Sequence, residues 1–189
     1  MYKIISEITI NIVCKLLFHV RYENEEILNR FDKCIICPNH SRIFDPVFLK
    51  QVVPDMYSMA KSELFKHKFF SKLLKYNNAF PINREKTDIR GVKTAIDLLD
   101  ENEKIKLLIF PEGKVVKTKE EIGKIKSGAI HISAVTNIPI IPVSINQRPK
   151  FFSKVTVKFG SPFIPDEQAK NNKQILKQEA NKLLKKIYE

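Results

Sequence analysis

The sequence predicts a single α/β domain with a largely parallel or mixed central sheet flanked by helices. Two observations lead to this prediction. Short apolar runs alternate with longer segments in which apolar residues recur at helical spacing, which is typical of strands alternating with helices. The chain has 189 residues, 43% of them hydrophobic, so it is long enough to bury one sizeable core.

The predicted elements follow one another from residue 33 onwards. Apolar runs predict strands over residues 34–37, 57–60, 105–110, 140–145 and 155–159. Helical spacing predicts helices over 47–53, 62–76, 88–102 and 127–136, with Pro46 opening the first and Asp88 capping the third. A last charged helix is predicted from 165 to 188, with apolar residues spaced for docking on the domain: Leu176, Ala180, Leu183, Leu184 and Ile187.

Residues 4–20 predict an amphipathic helix ahead of this domain. Polar residues recur every four positions from Glu7 to His19, and an apolar side is marked by Ile5, Ile8, Ile12, Leu16 and Val20. We interpret this segment as a membrane-associating helix; a helix packed on its own domain is the alternative. Its polar residues argue against a signal peptide. No apolar run in the sequence reaches the roughly 18 residues that a spanning helix needs.

The net charge of the chain limits the kinds of partner that we expect. Lys and Arg total 33 and Asp and Glu total 21, which gives a net charge of +12 and attracts anionic lipid surfaces, phosphate-bearing substrates or nucleic acid. The predicted helix over 62–76 interleaves Leu and Phe with Lys, a pattern of membrane surfaces or of a core helix with a basic outer face. A nucleic-acid-binding module is the alternative of a different class, but no zinc-finger, RNP-like or KH-like block is present. Nucleic acid is therefore not an expected partner.

The cysteines do not suggest a metal or redox site. Cys34 and Cys37 lie within an apolar run, so we expect them to be buried in a strand, and no second pair completes a zinc site. Three cysteines in all suit a reducing, cytoplasmic setting. A P-loop is also disfavoured, because Leu108 and Val115 stand where its Gly and its Ser or Thr would be.

The most informative block is 38–46, which places His40 and Asp45 five residues apart in a loop after a predicted strand. Open α/β sheets present ligand-contacting residues at such positions. A neutral imidazole can take a proton from a hydroxyl, and a carboxylate can fix its tautomer and stabilise the imidazolium. The alternative for Asp45 is an N-cap, because Asp before Pro is a common way to begin a helix.

Three further blocks follow in order: 80–84, which reads Phe-Pro-Ile-Asn-Arg; 110–113, which reads Phe-Pro-Glu-Gly; and 138–143, which reads Ile-Pro-Ile-Ile-Pro-Val. With Asn-His-x4-Asp at 39–45, these blocks resemble the signature of the glycerolipid acyltransferases, over residues 35 to 163. Ala-Lys-Ser-Glu-Leu at 60–64 and Ile-Lys-Ser-Gly at 125–128 resemble two further stretches of that family.

The resemblance implies transfer of a fatty acyl group from acyl-CoA or acyl-carrier protein to the sn-2 hydroxyl of lysophosphatidic acid or a related acceptor. His40 and Asp45 would be catalytic, and the predicted substrate-binding residues are Asn39, Lys61, Arg84, Glu112, Gly113 and Lys114. The chain has no Gly-x-Ser-x-Gly elbow, so no acyl-enzyme is expected. No metal and no cofactor are expected either.

One departure leaves the acceptor open. The family commonly continues Phe-Pro-Glu-Gly with Thr-Arg-Ser, whereas this chain has Lys114-Val115-Val116. Lys114 or Lys117 is left to replace the missing positive charge, but a Lys lacks the planar fork of an Arg. Another lysolipid or a polyol is therefore an alternative acceptor.

The predicted organisation has three parts: a membrane-associating helix and connector over 1–30, a catalytic domain over 31–165, and a docking helix over 166–189. The expected location is the cytoplasmic face of the cell membrane, as a peripheral or monotopic protein.

Overall fold

The computed structural model describes residues 17–83, 88–116, 125–146 and 152–188. Within these residues, seven strands form one sheet in the order β1-β7-β6-β2-β5-β3-β4. The strands are β1 His19–Glu23, β2 Lys33–Pro38, β3 Tyr57–Lys61, β4 Ala79–Ile82, β5 Ile105–Leu108, β6 Ile140–Ile145 and β7 Lys154–Phe159. The α-helices are α1 Asp45–Val52, α2 Lys68–Tyr76, α3 Ile89–Glu101, α4 Gly128–Thr136 and α5 Lys173–Tyr188, with 3₁₀ helices at Glu25–Arg30, Ser62–Lys66 and Glu167–Lys170.

The sheet is mixed, which confirms the predicted fold class. Strands β2 to β6 run parallel to their neighbours among themselves, β7 is antiparallel to β6, and β1 is parallel to β7. The carboxyl ends of β2 to β6 and the amino ends of β1 and β7 therefore lie along the same edge of the sheet. We call this the His40 edge, because His40 follows β2 there.

Helices cover both faces of the sheet, as β2 illustrates. Ile35 and Cys37 pack into the core shared with α3, α4 and α5, while Cys34 and Ile36 pack into the core beneath α1. All four side chains are fully buried, which explains the continuous apolar run of this strand. Both cysteines are free thiols, and burial raises the pKa of Cys34 to about 11. The prediction that they are buried strand residues is confirmed.

The helix predicted over 62–76 is divided, so this prediction is wrong in its first half. Ser62–Lys66 forms a 3₁₀ helix, and His67 adopts an extended backbone, with φ −88° and ψ 120°, before α2 begins. The carbonyl of His67 accepts the N–H of Ser71 at 2.8 Å, so His67 is the N-terminal boundary of α2. No Pro or Gly marks this break in the sequence.

The last predicted helix is divided in the same way. Glu167–Lys170 is a 3₁₀ helix and α5 begins at Lys173, because the side-chain oxygen of Asn172 accepts N–H bonds from Gln174 and Ile175 at 2.9 and 3.2 Å. The docking side of α5 is as predicted: its buried apolar residues are Ala180, Leu183 and Ile187.

The helix predicted over 4–20 does not extend to residue 20. Residues 1–16 lie outside the described residues, and His19 and Val20 belong to β1. β7 offers backbone partners to this segment, with His19 opposite Lys154 and Val20 opposite Val155. The expected connector after residue 20 instead completes β1 and forms the 3₁₀ helix Glu25–Arg30. In the described part of the chain, no helix has the length and apolar character needed to cross a bilayer.

Candidate active site

His40 lies immediately beyond β2, between the carboxyl ends of β5 and β6. Asn39 holds this position. Its side-chain amide donates to the carbonyl of Ile145 at 2.9 Å and accepts the N–H of Ile145 at 2.7 Å. Pro38, the last residue of β2, has no N–H to donate. Beyond it, the Asn39 side chain takes the place of a backbone partner and extends the pairing of β2 with β6 as far as Ile145. Both polar groups of this buried amide are thus used within the sheet.

His40 and Asp45 are brought together as predicted. Nδ1 of His40 lies 3.0 Å from Oδ2 of Asp45, which is fully buried. The same oxygen accepts the backbone N–H groups of Ser41 and Arg42 at 2.7 and 2.8 Å. An ionised carboxylate only accepts hydrogen bonds, so this arrangement places the imidazole proton on Nδ1 and leaves the lone pair on Nε2.

The structure decides against an N-cap as the role of Asp45. Asp45 is the first residue of α1, the cap position is Phe44, and no side-chain hydrogen bond caps this helix. The Asp45 carboxylate instead faces back along the chain to the loop that carries His40.

The backbone and the ring of His40 are also held by the 110–116 segment. The ring of Phe110 lies over the imidazole, with ring centroids 4.0 Å apart and planes inclined by 30°. The N–H of Val116 donates to the carbonyl of His40 at 2.7 Å, and the N–H of His40 donates to Oε2 of Glu112 at 2.8 Å. Such contacts limit the orientations open to the imidazole.

Glu112 is buried and uses both carboxylate oxygens inside the protein. Oε2 accepts from His40, and Oε1 accepts the hydroxyl of Tyr188 at the end of α5. Burial raises the pKa of Glu112, while the hydrogen bonds from Tyr188 and His40 lower it. No local pattern pointed to Tyr188, because this residue stands 76 positions after Glu112 and reaches it only when α5 docks.

Two features of the structure favour a glycine at position 113: its backbone conformation and the closeness of the Lys126 side chain. Its φ is +69°, and a Cβ at this position would lie 3.0 Å from Cε and 3.1 Å from Cδ of Lys126. The N–H of Lys126 donates to the carbonyl of Pro111 at 2.7 Å. The 125–128 block is thus brought against the 110–113 block, and its Lys126 was not among the predicted site residues.

The other predicted substrate-binding residues lie in different surroundings, and one of them is outside the described residues. Lys61 ends β3 at the His40 edge, partly exposed, with its ammonium 3.5 Å from Glu63 Oε1. Lys114 is exposed next to Gly113. Arg84 lies outside the described residues; β4, which precedes it, ends at Ile82, the register partner of Lys61.

Metal ligands do not cluster in the part of the chain that the structure describes: no three His, Cys, Asp or Glu side chains come together there. The expectation that no metal takes part stays a prediction.

The class of protein follows from these features. A mixed α/β sheet holds a buried histidine–aspartate pair beyond the end of a central strand, where such sheets commonly contact ligands, and an imidazole paired in this way is able to accept a proton. Residues 19–146 match the family model described as Acyltransferase, and the chain belongs to this family.

Three relatives are named as acyltransferases acting on 1-acyl-sn-glycerol-3-phosphate. The enzyme of Bacillus subtilis is 32% identical over 146 residues, 76% of this chain and 70% of its own length. The Streptococcus pneumoniae enzyme is 26% identical, covering 87% of this chain and 63% of its own length. The human beta enzyme is 28% identical over 76% of this chain, which spans 55% of that enzyme.

The fold is also that of a solved relative. The crystal structure of the 1-acyl-sn-glycerophosphate acyltransferase from Thermotoga maritima superposes with a TM-score of 0.65, covering 90% of this chain and 70% of that chain at 24% identity. At this level of identity the likeness establishes the shared α/β fold.

Proposed function

We propose that the protein transfers a fatty acyl group from acyl-CoA or acyl-carrier protein to the sn-2 hydroxyl of 1-acylglycerol-3-phosphate, giving phosphatidic acid. The observation that carries this proposal is the His40–Asp45 pair, in which Nδ1 is bonded to a buried carboxylate and Nε2 keeps its lone pair. The names of the relatives support this choice of acceptor.

In this mechanism the acceptor is its own nucleophile. The hydroxyl oxygen bonds to the thioester carbonyl carbon while its proton passes to Nε2 of His40. The tetrahedral intermediate then breaks its carbon–sulfur bond, and the departing thiolate takes the proton back from the imidazolium. Asp45 stabilises the imidazolium between these steps and fixes the ring tautomer. No residue of the protein becomes acylated.

The acceptor phosphate is bound by positively charged side chains. Arg84 carries this role by its resemblance to the family, and Lys61 and Lys114 add charge. Lys126 joins them, because its side chain lies against Gly113 beside the buried Glu112. Gly113 allows the acceptor to approach the backbone, and Asn39 contributes by holding His40 through its bonds to Ile145. Neither a metal nor a cofactor enters the mechanism.

Val115 is the reason to consider a second class of acceptor. This partly buried apolar residue stands where the family commonly has the Arg of Thr-Arg-Ser. An apolar side chain there offers no hydrogen bond to a phosphate. Another lysolipid or a polyol is therefore the alternative acceptor.

Lipid substrates require the enzyme to meet a membrane, and we assign that contact to the His40 edge. Nine large apolar side chains are exposed among the described residues, and six of them lie near this edge: Ile43, Leu64, Phe69, Phe70, Ile89 and Phe152. Lys66, Lys68 and Lys72 accompany the two phenylalanines of α2. Apolar side chains framed by lysines suit an anionic membrane surface.

The remaining organisation is part of the same proposal. Residues 1–30 include the membrane-associating segment, whose chain enters the sheet at the His40 edge because β1 begins there. Residues 31–165 hold the catalytic groups, and 166–189 dock on them. The enzyme then works as a peripheral or monotopic protein at the cytoplasmic face of the membrane.

The test of the proposed function is acyl transfer in detergent micelles. Lysophosphatidic acid, other lysophospholipids and glycerol are compared as acceptors, each with acyl-CoA and with acyl-carrier protein as donor. We expect phosphatidic acid from the parent and from the control variant His131→Ala, and none from His40→Ala. A fully active His40→Ala enzyme would refute the mechanism. If the folded parent acylates only another acceptor, that acceptor would replace 1-acylglycerol-3-phosphate as the assigned substrate.

A further inference from the structure

The C-terminal helix is connected to the backbone of His40 through a single carboxylate. Tyr188, the last described residue of α5, donates its hydroxyl to Oε1 of Glu112. The other oxygen of that carboxylate accepts the N–H of His40 at 2.8 Å. Two hydrogen bonds therefore join Tyr188 to His40, although these residues lie 148 positions apart (188 − 40).

The Glu112 carboxylate accepts hydrogen bonds from both Tyr188 and His40 and depends on both of them. Glu112 is only 6% exposed, so water cannot replace a lost partner easily. Burial raises its pKa, and the Tyr188 hydrogen bond is the strongest influence in the opposite direction. Burial and the neighbouring Glu112 also raise the pKa of the Tyr188 hydroxyl, which therefore keeps its proton at neutral pH and remains a donor.

The packing of α5 fixes the Tyr188 hydroxyl in place. Ala180, Leu183 and Ile187 are buried against the sheet, and the Tyr188 ring packs partly on the same core. A side chain anchored by its neighbours loses little additional entropy when it forms a hydrogen bond. The contact is therefore a fixed feature of the docked helix rather than an exposed pair on the surface.

We propose that Tyr188 is a positioning residue for His40, acting through Glu112. By keeping the Glu112 carboxylate ionised and oriented, Tyr188 fixes the His40 backbone, and with it the alignment of the imidazole on Asp45. The catalytic part of this inference rests on the proposed role of His40 as general base.

The first test needs no turnover. Protein labelled with ¹⁵N-histidine gives an amide signal for His40, identified by its loss in His40→Gln. Because the His40 imidazole and Asp45 also lie near this amide, the Glu112 titration is identified as the step of its pH dependence that is lost in Glu112→Gln. In Tyr188→Phe we expect the midpoint of this titration to move to higher pH, because the lost hydrogen bond lowered the Glu112 pKa. Tyr57→Phe is the matched control: it loses a hydroxyl on the same core cluster, at the start of β3, and should leave the midpoint unchanged.

The second test is kinetic. We expect Tyr188→Phe to lower kcat about tenfold with little change in KM. As the pH is lowered, the variant should lose its activity at a higher pH than the parent does. In a Glu112→Ala background, Tyr188→Phe should have no further effect on kcat, since its partner is gone. An unchanged amide midpoint in Tyr188→Phe, or independent multiplicative effects of the two substitutions, would overturn the proposal. If the parent transfers no acyl group, the proposed function fails while the amide titration still decides the role of Tyr188.

Discussion

Asp45 turns its carboxylate back towards His40 instead of forward into the helix that it begins. Oδ2 of Asp45 gathers three donors: the His40 ring and the N–H groups of Ser41 and Arg42. The two backbone donors fix which way a side chain at this position can face, and this has a consequence for mutation.

Asp45→Asn should keep the geometry and lose the charge. The two backbone donors select the amide oxygen of the new side chain for the Oδ2 position, so His40 retains its tautomer. The imidazolium loses its counter-charge, and we expect kcat to fall about a hundredfold or more with only a small drop in Tm. Asp97→Asn, on the exposed side of α3, is the control. Parental kcat in Asp45→Asn would show that Asp45 does not act electrostatically.

Gly113→Ala should destabilise the protein, whereas Gly128→Ala should not. The first substitution places a Cβ at positive φ, within 3.1 Å of two atoms of the Lys126 side chain, while the second finds no atom within 4 Å. We expect a loss of about 1–2 kcal/mol in the free energy of unfolding for Gly113→Ala. Urea denaturation of both variants measures this difference, and equal stability of the two would contradict the interpretation of Gly113.

Arg84→Ala and Lys126→Ala should each raise KM for a phosphorylated acceptor by about tenfold with little change in kcat. The corresponding KM for monoacylglycerol, which has no phosphate, should stay near the parental value. Arg90→Ala removes an exposed charge from the first turn of α3 and serves as the control. A rise in KM for both acceptors alike would argue against phosphate binding by these residues.

Replacing Phe69 and Phe70 with Ala should weaken binding to vesicles that contain anionic lipid, by about tenfold or more, because each exposed ring loses apolar area that would enter the membrane. The paired control is Val135→Ala with Ile164→Ala, since these exposed residues lie near the opposite edge of the sheet. Cosedimentation at low and high salt measures both. Equal loss of binding in the two double variants would reject the His40 edge as the membrane contact.

The ionisation of Glu112 should appear in the pH dependence of stability. Burial raises its pKa in the folded protein, so its contribution to stability is present below its unfolded pKa and is lost as the pH rises through its folded pKa. Gln at this position cannot ionise. The free energy of unfolding of the parent minus that of Glu112→Gln should therefore fall as the pH rises above the ordinary pKa of a glutamic acid side chain, about 4.

Glu63→Gln supplies a control of opposite sign for this measurement. A backbone hydrogen bond is the main cause that lowers the pKa of Glu63, so its contribution to stability is present above its unfolded pKa and is lost as the pH falls. The difference between parent and Glu63→Gln should not decrease with rising pH. A constant difference for Glu112→Gln would mean that burial does not perturb Glu112.

Much of the fold could be predicted because its determinants are local. Strand β6 was predicted with its observed bounds, and the N-cap at Asp88 is confirmed by its 2.9 Å bond from Gly91. His40 and Asp45 lie at the two ends of one short loop, with Asp45 beginning α1, so their spacing in the sequence was enough to predict that they meet.

The rest depends on contacts between distant parts of the chain. Tyr188 meets Glu112, Asn39 meets Ile145 and β1 joins β7 only after the sheet and α5 have assembled, and no local pattern encodes such pairs. The break at His67 was missed for another reason, because helical spacing continues across it while the backbone does not.

Loss of one buried amide, that of Asn39, would damage this protein at its centre. Its Nδ2 group donates to the carbonyl of Ile145, so deamidation to Asp would replace that donor with an oxygen and set two acceptors 2.9 Å apart. The side-chain pairing that holds the end of β2 against β6 would then be lost, while His40 and Asp45 stayed chemically intact. Hydrolysis of this one amide would therefore lower activity without any change to the His40 or Asp45 side chain.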